Sequence, residues 1–317
     1  MEDAIMTEST SEAVAGRPAS PRLRRGLDMP AGIAMTGFCL VLGLQQVAIK
    51  AVADDITPLS QVALRSLLAG LLVLVVARIQ GIGLAAFRGR LGAGILVGLG
   101  FAGEFGFVAW GLNYTLASHM SVFLYTAPVF AALGLHLWVP GEQLARHQWW
   151  GIGVAFAGML VAMAPSAAPG APAGDILLGD ALGLLAGLSW AATTLVVRRS
   201  SLSEAPPVQT LTYQLLTAGA LLLPITLWLG DWQQATPSGM AVASMTFQTL
   251  VISFGALLLW FALLRRYWAS QLGVFSFLSP IFGVLFGAAL LDEPLSWNFL
   301  LGGAAILLGI VLVSRQA

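Results

Sequence analysis

The chain has 317 residues, 58% hydrophobic and 9% charged, with a formal net charge of zero. Soluble domains are about a quarter charged, so this composition excludes one and implies a polytopic membrane protein with the lipid bilayer, not nucleic acid, as its surroundings. A single cysteine, Cys39, excludes an internal disulfide and a thiolate metal cluster.

Residues 1–30 are polar, carry Arg17, Arg22, Arg24 and Arg25, and read as a disordered cytoplasmic tail. The first apolar run, Ala31 to Val52, has basic residues before it and Ala51-Val52-Ala53 at its end, as a cleaved signal peptide would. It is kept as a helix, because its loss would leave the first half of the chain one span short of the second. Further spans are predicted near 60–77, 92–114, 117–138, 149–164, 177–197, 208–229, 242–264, 269–291 and 297–314, each near the roughly 20 residues a bilayer requires. The expected fold is all-α, with ten transmembrane helices in two inverted five-helix repeats, 31–164 and 177–317. An outer linker, 165–176, joins them and contains Pro165-Ser-Ala-Ala-Pro-Gly-Ala-Pro-Ala-Gly174.

Arginine distribution orients this arrangement. With the N-terminus inside, the inner segments hold Arg78, Arg88, Arg90, Arg146, Arg198, Arg199, Arg265, Arg266 and Arg315. The outer loops hold none, and carry Asp54, Asp55, Asp175, Asp231, Asp292 and Glu293 instead. Both termini are therefore expected in the cytoplasm.

The repeat itself is written in residue spacing. Pro128 follows Ala117-Ser118 as Pro280 follows Ala269-Ser270, eleven residues after each alanine, and each run then meets an acid, Glu142 or Glu293. Gly151 and Gly158 lie nine and sixteen residues after the first acid, and Gly302 and Gly309 nine and sixteen after the second. Pro58 precedes Ala69-Gly70 by the same interval that separates Pro207 from Ala218-Gly219, and Gly43-Leu44 is echoed by Gly187-Leu188. Five is odd, so the second copy enters from the opposite side, which is the plan of alternating-access carriers with a site near the midplane. A mid-helix proline removes a donor and clashes with the carbonyl four residues back, here Leu124 and Ser276, so Pro128 and Pro280 are expected gating hinges.

These segments resemble the EamA-type members of the drug/metabolite transporter superfamily, whose fourth and ninth helices carry this pattern of small residues, proline and terminal glutamate. Ala63-Leu-Arg65-Ser-Leu-Leu-Ala-Gly70 is similar to the family's second helix, and Gly179-Asp180 with Ser189-Trp190-Ala191 to its sixth. The Trp-Gly usual in the first helix is Leu42-Gly43 here. The resemblance covers about residues 31–314 and implies an inner-membrane exporter of amino acids or related metabolites.

Ionisable residues inside spans cost about 2.5–3.5 kcal/mol each at the centre on insertion scales, so each needs a reason. Glu104, ten residues from Tyr114, is expected about 15 Å from the outer surface. Arg65, seven residues into its span, could meet it, either as a structural ion pair or as part of a substrate or proton-coupling site. Lys50 either snorkels to the outer boundary or meets a carboxylate, and His119 is expected in water. Gln46, Tyr125, Trp190, Tyr213, Trp260, Ser276 and Ser279 complete the candidate substrate lining, with flat apolar walls and hydroxyl or amide contacts. The substrates that fit are neutral amino acids, aromatic ones included. Organic anions are the alternative, because neither Arg65 nor Lys50 has an assured acidic partner. There is no His-Glu-x-x-His, no Gly-x-Ser-x-Gly and no P-loop, so neither enzymatic activity nor a cofactor or metal is expected. Transport must run on a gradient of protons or of the substrate itself, and a passive channel would not need matched hinges.

Overall fold

Hydrocarbon offers no partner for backbone N–H and C=O groups, which leaves helices and closed barrels as the structures able to cross it. The computed structural model describes residues 28–138, 144–162, 173–267, 272, 276 and 278–314, and its elements are helices throughout. Those of eight or more residues begin with α1 (Met29–Lys50), α2 (Pro58–Ile79), α3 (Leu91–Gly111), α4 (Ala117–Leu124), α5 (Ala127–Trp138), α6 (Arg146–Ala162), α7 (Ala173–Arg199) and α8 (Pro207–Trp228). Next, α9 (Gly239–Thr246) runs through a π-helix (Phe247–Ala256) into α10 (Leu257–Arg266), and α11 (Leu278–Leu290) and α12 (Trp297–Ser314) follow.

Seven stretches are long and apolar enough to cross a membrane: α1, α2, α3, α4 with α5, α7, α8, and Gly239–Trp260. The protein is thus a multi-pass integral membrane protein. The other three expected spans correspond to shorter helices: α6 has 17 residues, α11 has 13 and α12 has 18. Most of 268–277, with Ala269 and Ser270, lies outside the described residues, as do Glu142, Arg315, the tail up to residue 27 and the linker up to residue 172. The helix α7 begins at Ala173, inside the stretch expected to be linker.

Local chemistry sets the helix starts. Asp28 accepts the Ala31 N–H at 3.0 Å, and Thr57 caps α2. Pro58 and Pro207 occupy first-turn positions, where no N–H is needed and the fixed φ suits the helix. The end of α3 departs from expectation: it stops at Gly111, and the Tyr114 and Thr115 N–H groups turn back onto the Gly111 carbonyl at 2.8 and 2.9 Å. Glu104 therefore lies about 10 Å from the C-terminal end of α3 rather than about 15 Å, which is the depth of Arg65 from the start of α2.

Helices pack as α6 on α12, α2 on α8, α3 on α7 and α8, α1 on α11, and α4 and α5 on α7. Glycine lets backbones touch at two of these contacts. A Cβ on Gly158 would sit 2.7 Å from the Gly302 carbonyl, and one on Gly309 would sit 2.5 Å from that of Gly151. Between α2 and α8, a Cβ on Gly70 would meet Leu216 and one on Gly219 would meet Leu67, each at 2.8 Å. Each contact appears twice with its members exchanged, in the spacing that the sequence repeats.

Gly302→Ala should lower stability by about 1–3 kcal/mol, because its Cβ would lie 2.4 Å from the Ala162 nitrogen and the helices must part. Gly153→Ala, with open space around the added methyl, should not. Thermal unfolding of the two purified variants in detergent checks this, and equal stability would refute the tight contact.

Candidate functional site

The fourth span breaks three residues before Pro128. The helix α4 ends at Leu124 and α5 begins at Ala127, consistent with the proline ring's clash at the Leu124 carbonyl. Thr126 Oγ1 donates to the Phe123 carbonyl at 2.6 Å, and the Phe123 and Leu124 carbonyls press on Gly187 of α7. The break leaves Tyr125 buried, with its ring edge-on to Trp190 of α7 at 5.5 Å between centroids. Ser279 of α11 lies beside the Tyr125 hydroxyl and the Cys39 thiol, and its buried Oγ has no hydrogen-bond partner at bonding distance among the described residues. Pro280 is buried next to it, near the start of α11, while most of the chain just before α11 lies outside the described residues.

Arg65 of α2 is 2% exposed. Its Nη1 donates to Gln248 Oε1 at 3.5 Å, and the guanidinium lies over the Phe105 ring at 4.8 Å. Glu104, 7% exposed, is within electrostatic reach of both Arg65 and Tyr125. The ion pairs among the described residues are Lys50–Glu293 and His119–Asp180, so Glu104 and Arg65 do not close on each other. Gln46 of α1 is also buried, and its Oε1 has no hydrogen-bond partner among the described residues. Gln46, Arg65, Glu104 and Ser279, on α1, α2, α3 and α11, and Tyr125 at the break after α4 are thus all buried.

Other expected lining residues lie elsewhere. Tyr213 donates its hydroxyl to the Phe87 carbonyl and packs on Gly94, joining α8 to the α2–α3 connection. Trp260 stacks on Phe38 at 5.3 Å, in an apolar cluster with Met35, Leu263 and Tyr267. Ser276 is half-buried in a helical turn.

A second polar cluster gathers around the start of α4. Glu293 takes the Ala117 N–H on Oε1 at 2.6 Å and the Ser118 N–H on Oε2 at 2.9 Å, filling the positive end of α4. Asp292, at φ 51°, turns the chain there, and Gly287 leaves room for the carboxylate. Lys50 donates to the Thr115 carbonyl and lies 3.9 Å from Glu293. Thr115 Oγ1 donates to Asp180 at 2.5 Å, and His119 Nδ1 is 3.0 Å from Asp180. His119, expected in water, is 6% exposed and stacked on Phe299 at 4.1 Å. Its burial follows from α4 starting beneath the α11–α12 turn, a long-range contact. Glu293 was expected in an open loop, and its neighbours Gly287 and Asp292 give no local sign that it reaches back 175 residues. Gln61 and Gln248 were also missed, because neutral amides carry no charge signal.

Helices that cross a membrane several times around a buried and incompletely paired polar interior define the class of multi-pass membrane transporters and channels. The EamA-like transporter family matches residues 29–164 and again 177–315, and the chain belongs to that family. It is 28% identical over 284 residues to a probable amino-acid metabolite efflux pump of Salmonella typhimurium, covering 86% of this chain and 91% of the relative. It is 25% identical over 282 residues to the uncharacterized inner membrane transporter YedA of Escherichia coli strain K12, covering 89% of each. A solved crystal structure of a protein 17% identical to this chain shares the fold with a TM-score of 0.63, covering 90% of this chain and 96% of that one.

Glu293→Gln should free the amide protons of Ala117 and Ser118, since an amide cannot accept both bonds. Their hydrogen exchange should rise about tenfold or more, the effect of losing about 1–3 kcal/mol of hydrogen bonding. Unchanged exchange at both amides would show that the carboxylate does not hold this helix end.

Proposed function

We propose that the chain is a secondary transporter of the inner membrane that exports neutral amino acids, aromatic ones included, or related small metabolites by alternating access. The observation that carries this reading is a group of buried polar atoms without a hydrogen-bond partner among the described residues, Gln46 Oε1, Arg65 Nε and Ser279 Oγ, beside the buried Glu104 carboxylate. Each unmet buried group costs about 1–3 kcal/mol, more if charged, and a substrate's polar head would relieve several at once. Beside them, Tyr125 and Trp190 supply flat apolar walls for a side chain. The name of the Salmonella relative supports amino-acid metabolites as the class.

The architecture we infer is two inverted five-helix halves, 31–164 and 177–317, with ten spans and both termini in the cytoplasm. The double match to one family supports it, as do the exchanged contacts between α2 and α8 and between α6 and α12. In this cycle the break at Pro128 and its counterpart at Pro280 serve as hinges, and the Lys50, Glu293, His119 and Asp180 cluster seals the outer side. A gradient of protons, with Glu104 as the coupling carboxylate, or of the substrate itself drives the flux.

Purified protein in liposomes should take up labelled phenylalanine or leucine saturably when the vesicles are preloaded with the unlabelled amino acid. Non-saturable leakage would indicate a channel, and chemical conversion of the substrate an enzyme; either would sink the reading.

For the topology, cysteines at Asp175 and Asp231 in a Cys39→Ala background should react with an impermeant reagent from outside, and those at Arg88 and Arg199 should not. The opposite labelling would overturn the orientation.

A further inference from the structure

The neighbours of Arg65 determine which edge of its guanidinium is already used. Gln61 Nε2 faces three carbonyls, those of Ile49 at 3.0 Å, Val52 at 3.5 Å and Ile56 at 2.7 Å, so this end of the amide must be the nitrogen. Its Oε1 then accepts from Gln248 Nε2 at 2.7 Å. Ser244 Oγ gives its proton to the Ala48 carbonyl at 2.8 Å, so it too acts as an acceptor toward Gln248 Nε2 at 3.1 Å. With two acceptors holding its nitrogen, Gln248 has only its oxygen to offer Arg65, and that oxygen takes Nη1.

Phe105 covers the guanidinium face. Among the described residues no hydrogen bond reaches the other edge, where Nε and Nη2 point the same way, and Nε is buried without a partner. Two parallel N–H donors on one edge match the two oxygens of a carboxylate, a fit that lysine cannot reproduce. Glu104, adjacent to Phe105 and near but not paired with Arg65, has no hydrogen bond of its own among the described residues. A dianionic phosphate on the fork would face that carboxylate. A zwitterion meets both groups and brings no net charge into the membrane.

We propose that the Nε and Nη2 edge of Arg65 binds the substrate's carboxylate, that Glu104 receives its ammonium group, and that Gln61, Ser244 and Gln248 are positioning residues holding the fork in register. This rests on the transport reading above and deepens it, since it makes both poles of an amino acid necessary. Lys50, half-buried at the end of α1, already donates to the Thr115 carbonyl and faces Glu293.

The test measures inhibition of counterflow in liposomes by phenylalanine, leucine and alanine, each beside its amide and its deaminated acid. In the wild type, each amino acid should inhibit at concentrations about tenfold or more below those of its amide and its deaminated acid, because losing either pole leaves a buried site group unpaired. Arg65→Lys keeps the charge but loses the fork, so the preference for the amino acid over its amide should collapse toward one, the amino acids losing more than the amides. Gln248→Leu should shift that ratio the same way; general loosening would weaken acid and amide alike. Equal inhibition by acids and amides in the wild type overturns the assignment, as does an Arg65→Lys variant that keeps the preference. If Arg65→Lys fails to fold, the wild-type ratio and Gln248→Leu still decide. Saturable counterflow without discrimination sinks the fork alone, whereas no saturable counterflow with any probe sinks the transport reading and the fork with it.

Discussion

A polar group in hydrocarbon has only the protein to pair with, and most of this structure follows from how that demand is met. At the α1–α2 turn one side chain, Gln61, serves three carbonyls. At the start of α4 one carboxylate, Glu293, serves two N–H groups, and at the break before Pro128 the Thr126 hydroxyl serves the Phe123 carbonyl. With the turns and breaks satisfied in this way, the proposed ligand is what would complete the chemistry of Gln46 and Arg65, whose buried atoms find no partner among the described residues.

The two kinds of contact between the first 164 residues and the rest of the chain differ in what it costs to part them. Along α6 and α12, and along α2 and α8, glycine brings backbones together, and any separation would open a void that the bilayer does not fill with anything better. Around the start of α4 the contact is polar: Lys50, Thr115, Ala117, Ser118 and His119 meet Asp180 and Glu293. Water can take over those hydrogen bonds at the membrane surface, so separation there exchanges partners rather than losing them. In the proposed cycle the glycine contacts act as pivots and the polar cluster as the part that opens.

How much of this could be read in the sequence varies with the range of the interaction. Apolar runs report spans directly, and Pro128 reported its break because the clash reaches only four residues back. Arg65 and Glu104 stood out because charge is expensive in a membrane, although the end of α3 depended on a turn at Gly111 that carries no strong composition signal. Tyr213 and Trp260 show the limit of residue type: an aromatic ring can line a site or fill a packing gap, and the partners that decide, Gly94 and Phe38, lie on other helices. Gln248 was hidden further, because the π-helix from Phe247 to Ala256 departs from the 3.6-residue period by which an inward face is recognised.

The polar interior does not share the symmetry of the scaffold around it. The spacing that pairs Pro58 with Pro207 and Gly70 with Gly219 pairs Arg65 with Gln214, so the charge is present in one half only. The regular helix α3 likewise carries Glu104, while the long span that supplies Gln248 carries a π-helix. A two-fold scaffold with two-fold charges would offer a two-poled substrate two equivalent orientations and no reason to choose. With one arginine and one glutamate on α2 and α3, the carboxylate end has a single place to go. In the proposed cycle the head group then stays with the first half throughout the rocking motion, and it is the second half, which supplies Gln248 and the seal residues Asp180 and Glu293, that changes its contacts around it.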